Sequence, residues 1–161
     1  MKFSENLKSK HQDCIEFWDN RTKIVLRDKE KKRTYEITNS SKKEIGVLDL
    51  EKMDCFLIDK NAKNCDKVIV EDEREIIIFI EFKGQDFRQA YKQLENTIKH
   101  FKQNHLKEDK NYEIYARLVV SKINFPNFKN EPNYRNLIKQ LGKTENFVCE
   151  AQKLIEKKIK F

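Results

Sequence analysis

The sequence predicts an α/β (α+β) fold: a mixed β-sheet core flanked by helices, in the order α-β-β-β-α-β plus a C-terminal helix. Two observations carry the sheet. Residues 68–70 and 76–80 are β-branched and aromatic runs separated by the polar run 71–75, the pattern of two strands joined by a hairpin. Residues 112–123 form a further run of this kind. A third observation supplies the helix between them: Phe87, Ala90, Tyr91, Leu94, Ile98 and Phe101 recur at helical spacing, an apolar stripe that packs on the sheet.

The remaining elements follow in order. Leu7, His11, Cys14, Ile15 and Trp18 are spaced for a helix over residues 4–18, with Ser4 as its N-cap. Residues 22–26 and 33–38 read as strands around the charged turn RDKEKK, and residues 45–50 and 55–58 continue the strand character beyond the polar loop 39–43. A turn at 60–63 joins 55–58 to the strand bearing Asp66, which makes a meander of at least three antiparallel strands. Asp86 caps the long helix, with Gln89 three residues on. Because strand 112–123 follows that helix, it returns parallel beside the strand bearing Glu81. Residues 134–141 form a short helix closed by Gly142, while residues 147–158 fit either one helix or a short strand with a helical tail.

Composition narrows the function classes. At 161 residues the chain is one domain, 1–161, large enough to bury about two thirds of its unfolded surface. With 34 Lys plus Arg against 27 Asp plus Glu, its net charge of +7 favours polyanionic partners, nucleic acid foremost. The four cysteines include no C-x-x-C pair, so they read as packed thiols in a reducing compartment, and zinc is not expected. No apolar run suits a signal peptide or a membrane span, so the expected location is cytoplasmic, with no membrane partner. Leu137 stands where a phosphate-binding loop ending in Gly142–Thr144 would need its first glycine, which argues against nucleotide binding.

Charge inside the strands is what needs a reason. An isolated carboxylate or ammonium within a sheet costs roughly several kcal/mol unless it pairs or binds a metal. A turn centred between Glu73 and Arg74 sets Asp66 opposite Glu81, and Lys83, two positions on, leaves the same face of the sheet. Asp66 and Glu81, beside the backbone carbonyl of Phe82, suit Mg²⁺ or Mn²⁺, which take one or two carboxylates together with substrate phosphate. Lys83 is placed to orient the attacking water or hold the phosphate. A solvated sheet edge with Lys83 as a salt-bridge partner is the plainer alternative.

The local sequences NCDKVIV and IFIEFK resemble the signature of the PD-(D/E)XK nuclease superfamily: an acid opening one strand, then an acid and a lysine two residues apart on the next. Asp66, Glu81 and Lys83 fall on the three signature positions. Cys65 replaces the proline that names the motif, at a position that bears no ligand. The resemblance spans residues 45–122 and implies a restriction-endonuclease-like fold with magnesium-dependent hydrolysis of phosphodiester bonds, DNA being the expected substrate. It also draws attention to Gln93 on the following helix and to Glu16 on the first, where related proteins carry an extra acid. Both have plainer readings as polar flank residues.

Asp54 is a second candidate accessory acid, although pairing about the 61–62 turn sets it on the face opposite Asp66. Gln93, Lys67, Arg88 and Lys92 are the candidate nucleic-acid contacts, expected to bind largely without sequence preference. The competing reading is a non-catalytic nucleic-acid-binding module, or an accessory subunit of a restriction, repair or mobile-element system. A homodimer or a partner subunit is compatible with either.

Overall fold

A computed structural model describes residues 3–52, 63–106, 111–123 and 128–161. In chain order it contains α1 (Phe3–Lys10), β1 (Ile15–Asp19), β2 (Lys23–Arg27), β3 (Thr34–Thr38), β4 (Ile45–Asp49), β5 (Lys67–Glu71) and β6 (Ile76–Lys83). Then follow α2 (Phe87–Asn104), β7 (Glu113–Val120), α3 (Pro132–Leu141), β8 (Phe147–Ala151) and β9 (Lys153–Ile155). The fold is mixed α+β, with a six-stranded sheet in the order β1-β4-β5-β6-β7-β8 and a three-stranded sheet β2-β3-β9.

The hairpin register sets the middle of the large sheet. Val68 pairs with Phe79 and Lys67 with Ile80, as a turn centred between Glu73 and Arg74 requires. On the other side β6 pairs with β7 in parallel, so α2 is the crossover that lets the chain return in the same direction. Asp86 caps α2 by accepting from the Gln89 amide at 3.1 Å. Successive strand residues point to opposite faces, and each face of the sheet has its own core. Val68 and Phe79 meet Leu94, Ile98 and Phe101 of α2 on one face. Ile69, Ile78 and Ile80 meet Ile24, Tyr35 and Leu154 of the small sheet on the other. β6 is therefore buried on both sides along nearly its whole length.

Helix α3 begins with Pro132 behind Glu131, whose carboxylate accepts from the Tyr134 amide at 3.1 Å. Gly142 ends it in the left-handed region at φ 79°, donating to the Ile138 carbonyl at 2.9 Å.

Four expectations need correction. The helix over residues 4–18 stops at Lys10, and Ile15–Asp19 form an edge strand against β4. A close fit fixes that strand: a Cβ at Gly46 would come within 2.4 Å of the Trp18 ring, so only glycine lets the indole lie there. The second neighbour of β5 is β4 rather than residues 55–58, which, with Asp54, lie outside the described residues. Residues 147–158 contain two short strands and no helical tail. β8 extends the large sheet beside β7, Gln152 turns the chain at φ 66°, and β9 joins the small sheet beside β3. Cys65 and Cys149 are free thiols, whereas Cys14 is disulfide-bonded rather than a packed thiol.

Where the two sheets meet, Arg117 of β7 is fully buried. Its Nε donates to Glu156 Oε1 at 2.6 Å, its Nη1 donates to the Asn146 carbonyl at 2.8 Å, and the Tyr35 hydroxyl donates to the same Glu156 oxygen at 3.0 Å. Removing one member of such a network strands the other charge without water. Arg117→Ala is expected to lower unfolding free energy by about 3–5 kcal/mol in denaturant titration. A loss below about 1 kcal/mol would show that the network contributes no more than a surface ion pair.

Candidate active site

The ends of three strands converge where β4 and β6 finish and β5 begins. Leu50, just past β4, donates its amide to the Asp66 carbonyl at 3.0 Å, and the Asp66 amide donates to the Ile80 carbonyl at 3.1 Å. The ladder thus extends one pair beyond Lys67 and Ile80, and it brings Asp66 beside Glu81. Each carboxylate is then held by the other's strand. Asp66 Oδ2 accepts from the Phe82 amide at 2.8 Å, and Glu81 Oε2 accepts from the Asp66 amide at 3.1 Å. Lys83 Nζ lies 3.7 Å from Glu81 Oε1 and donates to Gln93 Oε1 at 2.7 Å. Gln93 in turn donates from Nε2 to the Asn64 carbonyl at 2.9 Å, so α2 fixes the direction of the lysine.

These groups line a cleft of about 520 Å³ together with Glu51, Lys63 and, from the β2–β3 turn, Asp28, Lys29 and Arg33. Glu81 is 1% exposed and Asp66 9%. Burial, then the neighbouring Glu51 carboxyl, pushes the Asp66 carboxyl up to about 8, against the opposing pull of the Phe82 amide. Burial, then the negative charge of Asp66, raises Glu81 well above the ordinary carboxylate range. One lysine beside two buried acids is too little to keep both ionised. A small divalent cation with a preference for oxygen fits that donor set, because it supplies the missing charge and accepts several waters as its remaining ligands. Among the described residues, no three His, Cys, Asp or Glu side chains form a ready-made metal cage.

Comparison with family models, with curated proteins and with solved structures returns no match.

The structure brings Asp66, Glu81, Lys83 and Gln93 together, and Phe82 lines the same cleft. Lys67 belongs elsewhere. One residue on from Asp66, it projects from the opposite face and is buried between Glu16 at 2.7 Å and Asp49 at 3.3 Å. Burial pulls the pKa of this lysine down, but the two carboxylates outweigh it and raise it. Glu16 is on β1 rather than on a helix, and its contact with Lys67 places it away from Asp66. Arg88 lies near Glu131 at 3.8 Å with an exposed side chain, and Lys92 is exposed on α2. Neither lines the cleft with Asp66. Sequence reasoning missed Glu51, which lines the cleft with Asp66, and Arg33, whose Nη1 donates to Ser121 Oγ at 2.6 Å and whose Nη2 lies 2.6 Å from Asp28 Oδ2. Both reach the site through long-range pairing that no local pattern encodes. Among the described residues no helix is long and apolar enough to cross a membrane.

The raised Asp66 carboxyl makes stability depend on pH. The folded chain keeps this proton up to about pH 8, whereas the unfolded chain releases it near the ordinary Asp value of about 3.9. The group therefore contributes fully below about pH 4, and its contribution is lost as pH rises toward 8. In EDTA the thermal midpoint is expected to fall between about pH 5 and pH 8, with Asp66→Asn flattening that fall and Mg²⁺ raising the wild-type midpoint at the upper end. A midpoint rising with pH in EDTA, or an identical profile for Asp66→Asn, would contradict this electrostatic account.

Proposed function

We propose that this chain is a metal-dependent nuclease of the PD-(D/E)XK type that hydrolyses phosphodiester bonds, with DNA the first substrate to examine. The observation that carries the reading is the reciprocal clamp of Asp66 and Glu81. Two carboxylates are held rigidly in the interior, each by a backbone amide of the neighbouring strand, with Lys83 directed at the same place. A fold has no structural use for two buried carboxyl groups side by side, since an apolar pair there is usually at least as stable. Catalysis does have a use for them.

Asp66 and Glu81 would hold Mg²⁺ or Mn²⁺, with the Phe82 backbone nearby. The bound cation would lower the pKa of a coordinated water and offset charge growing on phosphorus. The protein's own part is positioning. The backbone clamps hold both acids in one geometry before substrate arrives, so little reorganisation is needed during the reaction. Gln93 holds the Lys83 ammonium toward Glu81, where it can orient the attacking water or bind a non-bridging phosphate oxygen. Without a cation the two acids give phosphate nothing to bind, and so substrate binding is expected to need the metal as much as hydrolysis does.

Asp66→Ala, Glu81→Ala and Lys83→Ala are each expected to reduce cleavage of plasmid and oligonucleotide substrates by about two orders of magnitude or more, with the circular dichroism spectrum retained. Near wild-type activity in any two of them would sink the assignment. Mg²⁺ and Mn²⁺ are expected to support cleavage, while Ca²⁺ binds and supports little, because its looser coordination holds the nucleophile less firmly. Metal-dependent binding with no cleavage in any of these ions would favour the accessory, non-catalytic reading instead.

A further inference from the structure

The chain's positive charge is concentrated in one place. Residues 87–104 and 132–143 hold seven lysines and arginines and a single carboxylate, Glu95, and so carry +6 of the net +7. In the rest of the chain lysines and arginines are matched almost one for one by acids. The undescribed segments that follow α2 and precede α3 do not restore the balance: residues 107–110 hold two lysines and two acids, and residues 124–127 hold no charge.

The fold sets the two segments side by side. α2 and α3 bury their apolar stripes in the same core on one face of the large sheet, Leu94 and Ile98 from one and Leu137 and Leu141 from the other. They run parallel, since Arg88 lies 3.8 Å from Glu131 at their starts and Lys102 donates to the Gln140 carbonyl at their ends. At 3.6 residues per turn, Arg88, Lys92 and Lys99 fall within about 40° of one another around α2, and all three are exposed. Arg135 and Lys139 stand one turn apart on the exposed side of α3, and Lys143 follows just past its C-cap. Axes of packed helices lie about 8–10 Å apart, so the outer face carries two rows of cations, with about 6 Å between charges that are one turn apart.

This charge is not consumed within the fold. Glu95 pairs with Lys99 at 2.7 Å, and Lys92, Arg135, Lys139 and Lys143 have no carboxylate partner among the described residues. Asp86 and Glu131, at the starts of the helices, are N-caps that each accept a backbone amide of their own helix. Rows of like charge repel one another, and phosphates relieve that repulsion while they release their own counterions. The face also lacks what other anionic partners use. Neither helix exposes a large hydrophobic side chain there, whereas a helix that enters a lipid surface inserts an apolar face and a protein interface is centred on apolar or aromatic anchors.

We infer that the outer face of α2 and α3 is a docking surface for the sugar-phosphate backbone of nucleic acid. None of its cations lines the cleft that holds Asp66 and Glu81. The surface holds a polynucleotide by charge, without reading its sequence, and it does so whether or not a bond is cut.

The test uses the full chain and a short labelled DNA duplex of arbitrary sequence, with fluorescence anisotropy read over a range of salt in Ca²⁺. The variant Lys92→Gln/Arg135→Gln/Lys139→Gln removes three exposed cations from this face. The variant Arg27→Gln/Lys157→Gln/Lys160→Gln removes the same charge from exposed positions on β2 and beyond β9, on the small-sheet side. The first is expected to flatten the slope of log K against log salt by about 2.7, three contacts at about 0.9 each, and to weaken binding about tenfold or more near 0.1 M salt, while the second leaves the slope near that of the wild type. An unchanged slope in the first variant, or an equal change in both, would overturn the inference, the latter by showing that net charge alone sets the affinity. Binding to phosphatidylserine vesicles that is lost in the first variant while DNA binding is kept would overturn nucleic acid as the occupant. Cleavage of the same duplex in Mg²⁺ separates the inference from the nuclease reading. Binding that depends on this face with no cleavage supports the inference and removes that reading, whereas cleavage by the wild type with an unchanged slope in the first variant does the reverse.

Discussion

Strand β6 has no solvated face, and most of this structure follows from that. From Ile76 to Phe82 every side chain is buried, alternately against α2 and against the small sheet. A carboxylate at position 81 cannot turn outward to water, as it could on a sheet with one wet face. Its charge must be met from within. The β5–β6 register supplies the Asp66 amide, and α2 supplies Gln93, which keeps Lys83 in place. Helix, register and charge pair thus depend on one another: a slip of one residue would turn Glu81 into the apolar core facing the small sheet.

The same logic explains why two layers are needed around the large sheet. A parallel pair such as β6–β7 is buried on both sides, which calls for a cover on each face. α2 covers one. The chain covers the other with the β2–β3 hairpin and completes that small sheet by sending β9 across from the end of β8. The hairpin's turn then overhangs the end of β6, and so one device that seals a core also walls the cleft above Asp66 and Glu81. Arg117 and Glu156 lock the sheets together behind this wall, far from water.

Local pattern made part of this legible. The β5–β6 hairpin could be read with its register because two β-branched runs flank a polar turn of definite centre, and the α2 cap could be read because Asp86 and Gln89 fall at capping spacing. Lys67 was also within reach of sequence reasoning. Strand alternation alone puts it on the face away from Asp66, so its grouping with the phosphate contacts ignored parity. Other features were not encoded locally. The spacing of Leu7, Cys14 and Trp18 allows a helix, and only the approach of Trp18 to Gly46 across the sheet makes residues 15–19 a strand. Glu51 and Arg33 depend on β4 and the hairpin meeting the end of β6, contacts that span many residues of chain.

Central to the proposed function is that Asp66 and Glu81 would share one cation. Anomalous diffraction from crystals soaked in Mn²⁺ measures this directly, since the ion scatters where the protein does not. The account predicts one strong peak between the two carboxylates, with oxygen atoms of both side chains at about 2.0–2.2 Å, and its loss in Glu81→Gln. Peaks found only at other carboxylates, or an Asp66–Glu81 pair that stays free of manganese at saturating concentration, would contradict it.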